Sequence, residues 1–246
     1  MPGDSPGLDL SAESSTRSVW FRQLFEKMAN QSTLRLREVS PEDIPKISEV
    51  WFRAFSTTPH NLELFPDTPA VHAWWNEANY HDLVNKPYQK YLKVVDAAHP
   101  GDILAYGKWD LQPDRCGERY PPWHPESNAE LCDQFFGGIE KQRRRLMQGR
   151  EHYCTTPSPR LTYVGFNHVI DLDMLATNPD HQRRGAASLL VQWGCDQADR
   201  NGVAIYIASS KQGVGLYRKF GFELLGGLDD TPEGANPMVR EPRRLN

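Results

Sequence analysis

The stretch that most constrains this chain is Asn178 to Ser188, which reads NPDHQRRGAAS. It follows an apolar run from Val169 to Thr177 that predicts a strand. It leads into Ser188 to Asp199, whose apolar spacing predicts a helix. A strand, a tight turn of small residues and a helix together can cradle a phosphate. The first N–H groups of a helix lack intrahelical partners, and the helix dipole favours an anion beside them. Small residues at a helix start also serve close packing, so this turn alone leaves both readings open. A second block follows it. Val203 to Ser210 predicts a strand, and Lys211 to Phe222 ends in LYRKFGF, a short helix and then the Gly-Phe opening of another strand.

The Q-x-x-G-x-A core, Gln182 to Ala187, and the LYRKFGF segment resemble two signatures of the GNAT superfamily, the acyl-CoA-dependent N-acyltransferases, in that family's order and spacing. The phrasing of the chain is similar to fungal GNAT-domain proteins. The resemblance runs from Leu34 to Arg240 and is tight from Asp171 to Phe222. It implies an α/β (α+β) fold, a mixed and mainly antiparallel sheet of six to seven strands flanked by helices and splayed between its fourth and fifth strands.

Composition bounds the rest. The 246 residues are 39% hydrophobic and carry a formal charge of −4, which argues against nucleic acid as the main partner. No apolar run approaches the roughly 18 residues that span a membrane. The N-terminus has no secretory pattern, and Cys116, Cys132, Cys154 and Cys195 show no metal-ligand spacing. They read as free thiols in a reducing compartment, so the expected location is cytoplasmic, with the nucleus left open. Residues 1–17, rich in Ser, Gly, Pro and Asp, predict a disordered tail, 18–32 a helix, and 33–246 an acyltransferase domain with an insertion at 112–168.

Within that domain, Leu34 to Val39 alternates as a first strand. Ser40, Pro41, Glu42 and Asp43 form a helix start leading through Ile44 to Phe55. Ser56 to Leu62 reads as a loop, Pro69 to Tyr80 as a second helix, and Lys90 to Val95 with Ile103 to Trp109 as a hairpin about a turn at His99 to Asp102. A helix near Ala129 to Met147 turns Leu131, Phe135, Ile139 and Leu146 inward, and its Lys141, Arg143, Arg144 and Arg145 read as a solvated face. Cys154 to His168 is an extra segment, either a substrate-gating hairpin containing Leu161 to Phe166 or an artefact such as a retained intron.

The resemblance assigns roles residue by residue. Acetyl-CoA, the expected co-substrate, with no metal, would lie along Leu175, Ala176 and Thr177, with backbone N–H groups of Leu175 and Thr177 facing it. Its pyrophosphate would meet Gln182, Arg183, Arg184, Gly185, Ala186, Ala187 and Ser188. Ser210, Gly213 and Tyr217 would complete the cofactor side. Ser210 stands where many members have asparagine, and Ala208 where fungal relatives often show an acid. Tyr217 matches the family's proton donor to the leaving thiolate, since a phenol with a pKa of about 10 suits that task. An alkylamine is only about one part in a thousand neutral at pH 7, so something must take its proton. Asp171 and Asp173 share a strand face by their period-two spacing, and Asp171 falls eleven residues before Gln182, where several members carry a general base.

The expected reaction is direct transfer of an acetyl group to the amine of a small molecule in a ternary complex. Trp51, Phe55, Trp109, Trp123 and Tyr163 are the candidate walls of the acceptor site. Two other readings stay open: a protein lysine or N-terminal acetyltransferase, and a CoA-binding module without catalysis. A homodimer also stays open. The histidines lack zinc-ligand spacing and no G-x-S-x-G elbow is present.

Overall fold

Alternating apolar residues and a turn at Ala97 and Ala98 make Gln89–Asp96 (β2) and His99–Asp110 (β3) a long antiparallel hairpin. The turn comes earlier than expected, and His99 to Asp102 belong to β3 instead. The computed structural model describes residues 33–112, 120–147, 169–226 and 235–243. The expected tail, N-terminal helix and Leu161 to Phe166 strand lie outside them, as do Cys116 and Cys154. Around the hairpin, Leu34–Glu38 (β1), Val169–Thr177 (β4), Ala204–Ser209 (β5), Glu223–Leu224 (β6) and Asn236–Arg240 (β7) complete a seven-stranded sheet in the order β1-β2-β3-β4-β5-β7-β6. Every neighbouring pair is antiparallel except β4 and β5.

Helices cover both faces. Ile44–Phe55 (α1), Pro59–Leu64 (α2), Pro69–Asn85 (α3) and Ala129–Met147 (α4) lie on one, and Ala186–Asn201 (α5) lies on the other, with Val214–Arg218 (α6) joining its core. The helix start at Ser40 forms as its residue types demand: the Asp43 carboxylate accepts from the Ser40 N–H at 2.8 Å and from its hydroxyl at 3.0 Å. The segment expected to be a loop contains α2 instead. Thr58 caps it by accepting from the Asn61 N–H, and Pro59 opens it. At six residues it is too short for apolar periodicity to announce it.

The two faces pack differently. Under α5, Gly194 sits against the indole of Trp109, and a Cβ there would lie 2.2 Å from the ring. The helix approaches the sheet this closely because position 194 has no side chain. The C-terminal strand is tied to the same helix. The Arg240 guanidinium donates twice to Asp199 at 2.8 Å and once to the Phe220 carbonyl at 3.0 Å, and its side chain is 3% exposed. On the opposite face, α1 and α3 bury Ile47, Trp51, Phe52, Val71 and Trp74 against Tyr91 and Tyr106 of the hairpin.

Candidate active site

The site begins where the sheet opens. β5 pairs with β4 only from Val169 to Leu172. From Asp173 to Thr177, β4 has no β5 partner, and from Met174 to Thr177 it keeps its β3 partner. The β3–β4 register slips at this point. Lys108 faces Met174 and Trp109 faces Leu172, so Asp173 is the extra residue of a β-bulge. The bulge shifts the strand's phase. Leu172 packs on the α5 face, whereas Met174 and Ala176 pack on the α1/α3 face. The Asn178 N–H donates to the Leu104 carbonyl of β3 at 2.8 Å. Alternation along the strand therefore turns the N–H groups of Leu175 and Thr177 toward the edge that β5 has left.

The turn after β4 is shaped for an anion. Arg183 has φ of 60° and Gly185 has φ of 95°, and Gly185 caps α5 at Ala186. Left-handed residues at alternate positions gather successive N–H groups into a concavity, and the helix dipole points into it. Gln182 and Arg183 are exposed, Ala186 is buried, and Ala187 and Ser188 are half-buried in the first turn of the helix. The two arginines differ. Arg183 projects into solvent, whereas Arg184 is held by the Asp96 carboxylate at the end of β2. Hydrogen bonding from Arg184 keeps the Asp96 carboxyl below the usual range.

Ser210 is engaged locally, with its hydroxyl accepting from the Gly213 N–H at 3.2 Å. Gly213 lies so close to the Tyr217 ring that a Cβ would be 3.1 Å from it. Tyr217 is 7% exposed and edge-on to Phe222 at 5.6 Å. Burial pushes its phenol well above the ordinary range, so it stays protonated at any physiological pH.

The other face of the bulge carries charge. Lys108 places its ammonium 2.8 Å from Asp82 and 2.8 Å from Asp173, above the Tyr91 ring. Lys86 reaches the second oxygen of Asp82 at 2.6 Å. Burial alone would lower the Lys108 pKa, but Asp173, with Tyr91 and Asp82, holds it well above the ordinary lysine value. Burial would likewise raise Asp82, and the two lysines more than offset it. Asp171 shares the face of Asp173, as the spacing predicts, but its side chain is only 19% exposed. Burial first, and the Asp173 charge second, push its carboxyl well above the usual range despite Arg143 at 3.9 Å.

Arg143 corrects an expectation. It is 3% exposed rather than part of a solvated face, and it forks onto Glu140 at 2.9 and 3.0 Å. The other three, Lys141, Arg144 and Arg145, are exposed.

A cavity of about 280 Å³ opens beside this cluster. Asp82, Lys86, Gln89, Lys108 and Asp173 line one end, and Phe65, Trp74, Trp75, Trp123 and Phe136 line the other. Of the expected walls, Trp123 is present and Tyr163 lies outside the described residues. Trp51 and Phe55 belong to the core beneath α1, and Trp109 is fully buried on the opposite face, so none of these three lines the cavity. Sequence reasoning missed Asp82, Lys86 and Lys108. The one available signal was the stripe Trp75, Asn79, Asp82, Lys86, which follows helical spacing but runs from aromatic to charged.

No cluster able to hold a metal is found among the described residues. No helix among them is long and apolar enough to cross a membrane.

A family model described as Acetyltransferase (GNAT) family matches residues 64–222. Among solved structures, one from Corynebacterium glutamicum, described as histone acetyltransferase HPA2 and related acetyltransferase, is similar with a TM-score of 0.52 at 20% identity, covering 87% of this chain and 98% of that one. Arabidopsis thaliana NAA60, in complex with a bisubstrate analogue, gives a TM-score of 0.50 at 12% identity, covering 87% of this chain and 100% of that one. At these identities the likeness is one of fold, and it lends nothing to the fungal resemblance. No curated protein matches.

Proposed function

The chain belongs to the acetyltransferase (GNAT) family, an acyltransferase that draws on an acyl-CoA, and from that premise we propose that it moves an acetyl group from acetyl-CoA to the amine of a small molecule. The observation that carries this reading is the position of Asp173. It is at once a wall of the cavity and the first β4 residue without a β5 partner. An amine in the cavity would therefore lie next to the open edge of β4.

Acetyl-CoA supplies a thioester-activated acetyl group. The concave turn from Gln182 to Ser188 suits its pyrophosphate, with Arg183 the arginine left to add charge. The unpaired edge at Leu175, Ala176 and Thr177 suits its extended arm, and an N–H from that edge polarises the thioester oxygen. Asp173, half-exposed at the cavity, receives the ammonium and takes its proton. Asp171 lies behind it. Tyr217 holds the proton that the departing thiolate needs.

A protein acceptor is the second reading. It calls for a groove that admits a backbone, whereas this cavity holds about 280 Å³ and five rings, Phe65, Trp74, Trp75, Trp123 and Phe136, line it. Thiol release from acetyl-CoA against alkylamines, arylamines, polyamines and peptides tests the assignment, with Tyr217→Phe as control. Turnover of small amines that falls on the order of a hundredfold in the variant supports it. Turnover of peptides alone would replace it with the second reading.

A further inference from the structure

We propose that the acceptor is a compact aromatic monoamine, with one ring system seated at the indole end of the cavity and a single ammonium at Asp173. This deepens the small-amine reading and rests on it.

The apolar end is a connected wall of rings. Phe65 stacks on Trp74 at 5.7 Å, Trp74 meets Trp123 at 5.9 Å, and Trp123 stacks on Phe136 at 5.5 Å. Each ring is positioned by others, so the wall exists before a ligand arrives. Two of the indoles are also anchored by hydrogen bonds, Trp74 to the Pro122 carbonyl at 2.7 Å and Trp123 to Asp133 at 2.7 Å. A rigid flat wall rewards a flat apolar body, through area and through ring–ring geometry. A volume of about 280 Å³ leaves space for one ring system with a short arm.

The polar end sets the charge. Among the lining residues two carboxylates, Asp82 and Asp173, face two lysines, Lys86 and Lys108, so the described lining carries no net charge. Asp82 is 13% exposed and already meets two ammonium groups, Lys86 at 2.6 Å and Lys108 at 2.8 Å. Asp173 meets Lys108 through one oxygen and is 50% exposed, so its other oxygen can receive one ammonium. A polyamine would bring further ammonium groups, and among the described residues that line the cavity no other carboxylate meets them. A carboxylate on the acceptor would have to draw a lysine away from Asp82. A monocation suffers neither cost.

Steady-state kinetics with phenethylamine, hexylamine, phenylalanine and spermidine test this. Phenethylamine should exceed the other three in kcat/KM by on the order of tenfold or more. Ala78 also lines the cavity, and Ala78→Phe would place a ring there. The variant should lose phenethylamine turnover by a similar factor while acetyl-CoA still raises its Tm. Equal or better turnover of hexylamine, spermidine or phenylalanine overturns the inference and leaves small-amine acetylation standing. So does an Ala78→Phe enzyme that binds acetyl-CoA and keeps its preference for the ring. Acetyl-CoA binding with no turnover of any amine overturns both.

Discussion

The two faces of β4 make their halves of the site in different ways. On the α5 side, the proposed cofactor half is written in backbone: an unpaired strand edge, a left-handed turn and a helix N-terminus, all within Asp173 to Ser188. On the α3 side, the proposed acceptor half is written in side chains from four elements, with Asp82 from α3 and Lys86 capping its end, Gln89 from β2, Lys108 from β3 and Asp173 from β4. A backbone device needs small residues in consecutive order, so it leaves a trace in the chain. A side-chain pocket needs only that distant residues converge, so it leaves almost none. The same strand serves both because its bulge at Asp173 reverses which face the following residues present.

Substitutions can break this contrast. The largest effect is expected at the clamp that holds the backbone half together. Asp199→Ala strands the buried Arg240 and should cost about 3 kcal/mol in denaturant unfolding, and a loss under 1 kcal/mol would show that α5 does not need β7. Asp173→Asn should lower kcat/KM for the amine on the order of a hundredfold and leave the KM for acetyl-CoA unchanged. A matching loss in acetyl-CoA affinity would erase the division between the halves. Gly194→Ala drives a methyl into the Trp109 ring. The cost of about 3 kcal/mol for overpacking, less about 1 kcal/mol of helix propensity, leaves about 2 kcal/mol, read as a drop in Tm. Gly185→Ala puts a side chain at φ of 95° and should cost about 1–2 kcal/mol. Its signature is weaker acetyl-CoA binding by calorimetry with amine selectivity intact.

The smallest effect is a slope. Burial, with Asp173 behind it, raises the folded-state pKa of Asp171 above its unfolded value. The folded protein therefore keeps a proton that the unfolded chain has released. The associated stability is full below the ordinary carboxylate value and is lost as pH rises through the folded value. Asp171→Asn should flatten that decline in a Tm series from acid to neutral pH. An unchanged slope would mean that Asp171 is ionised in the folded protein.

What could be read from the chain follows the same division. The strand–turn–helix from Val169 to Asn201, the hairpin, and the helices containing Ile47 and Leu131 all announce themselves through local periodicity. Tyr217 was legible because its helix and the Gly-Phe after it are contiguous. Arg143 was not, because four basic residues in five look alike in sequence and only the fold decides which one turns toward Asp171. Trp109 and Trp123 were equally plausible walls until the strand's alternation sent Trp109 to the α5 face. Lys108, two residues from Asp110 on the same strand, gave no sign that Asp82 would meet it from a helix 26 positions earlier.

The Arg240 clamp also bears on how the protein is made. β7 lies between β5 and β6, and it is made after both of them. Until it leaves the ribosome, β5 presents a bare edge and Asp199 has no guanidinium to meet. The nascent chain must carry that open edge through the synthesis of residues 210–235, which is the condition under which strand edges find wrong partners. The Asp199 end of the helix that follows the left-handed turn is thus clamped only once residues 236–240 have been made, and loss of that strand would loosen the most legible part of the molecule.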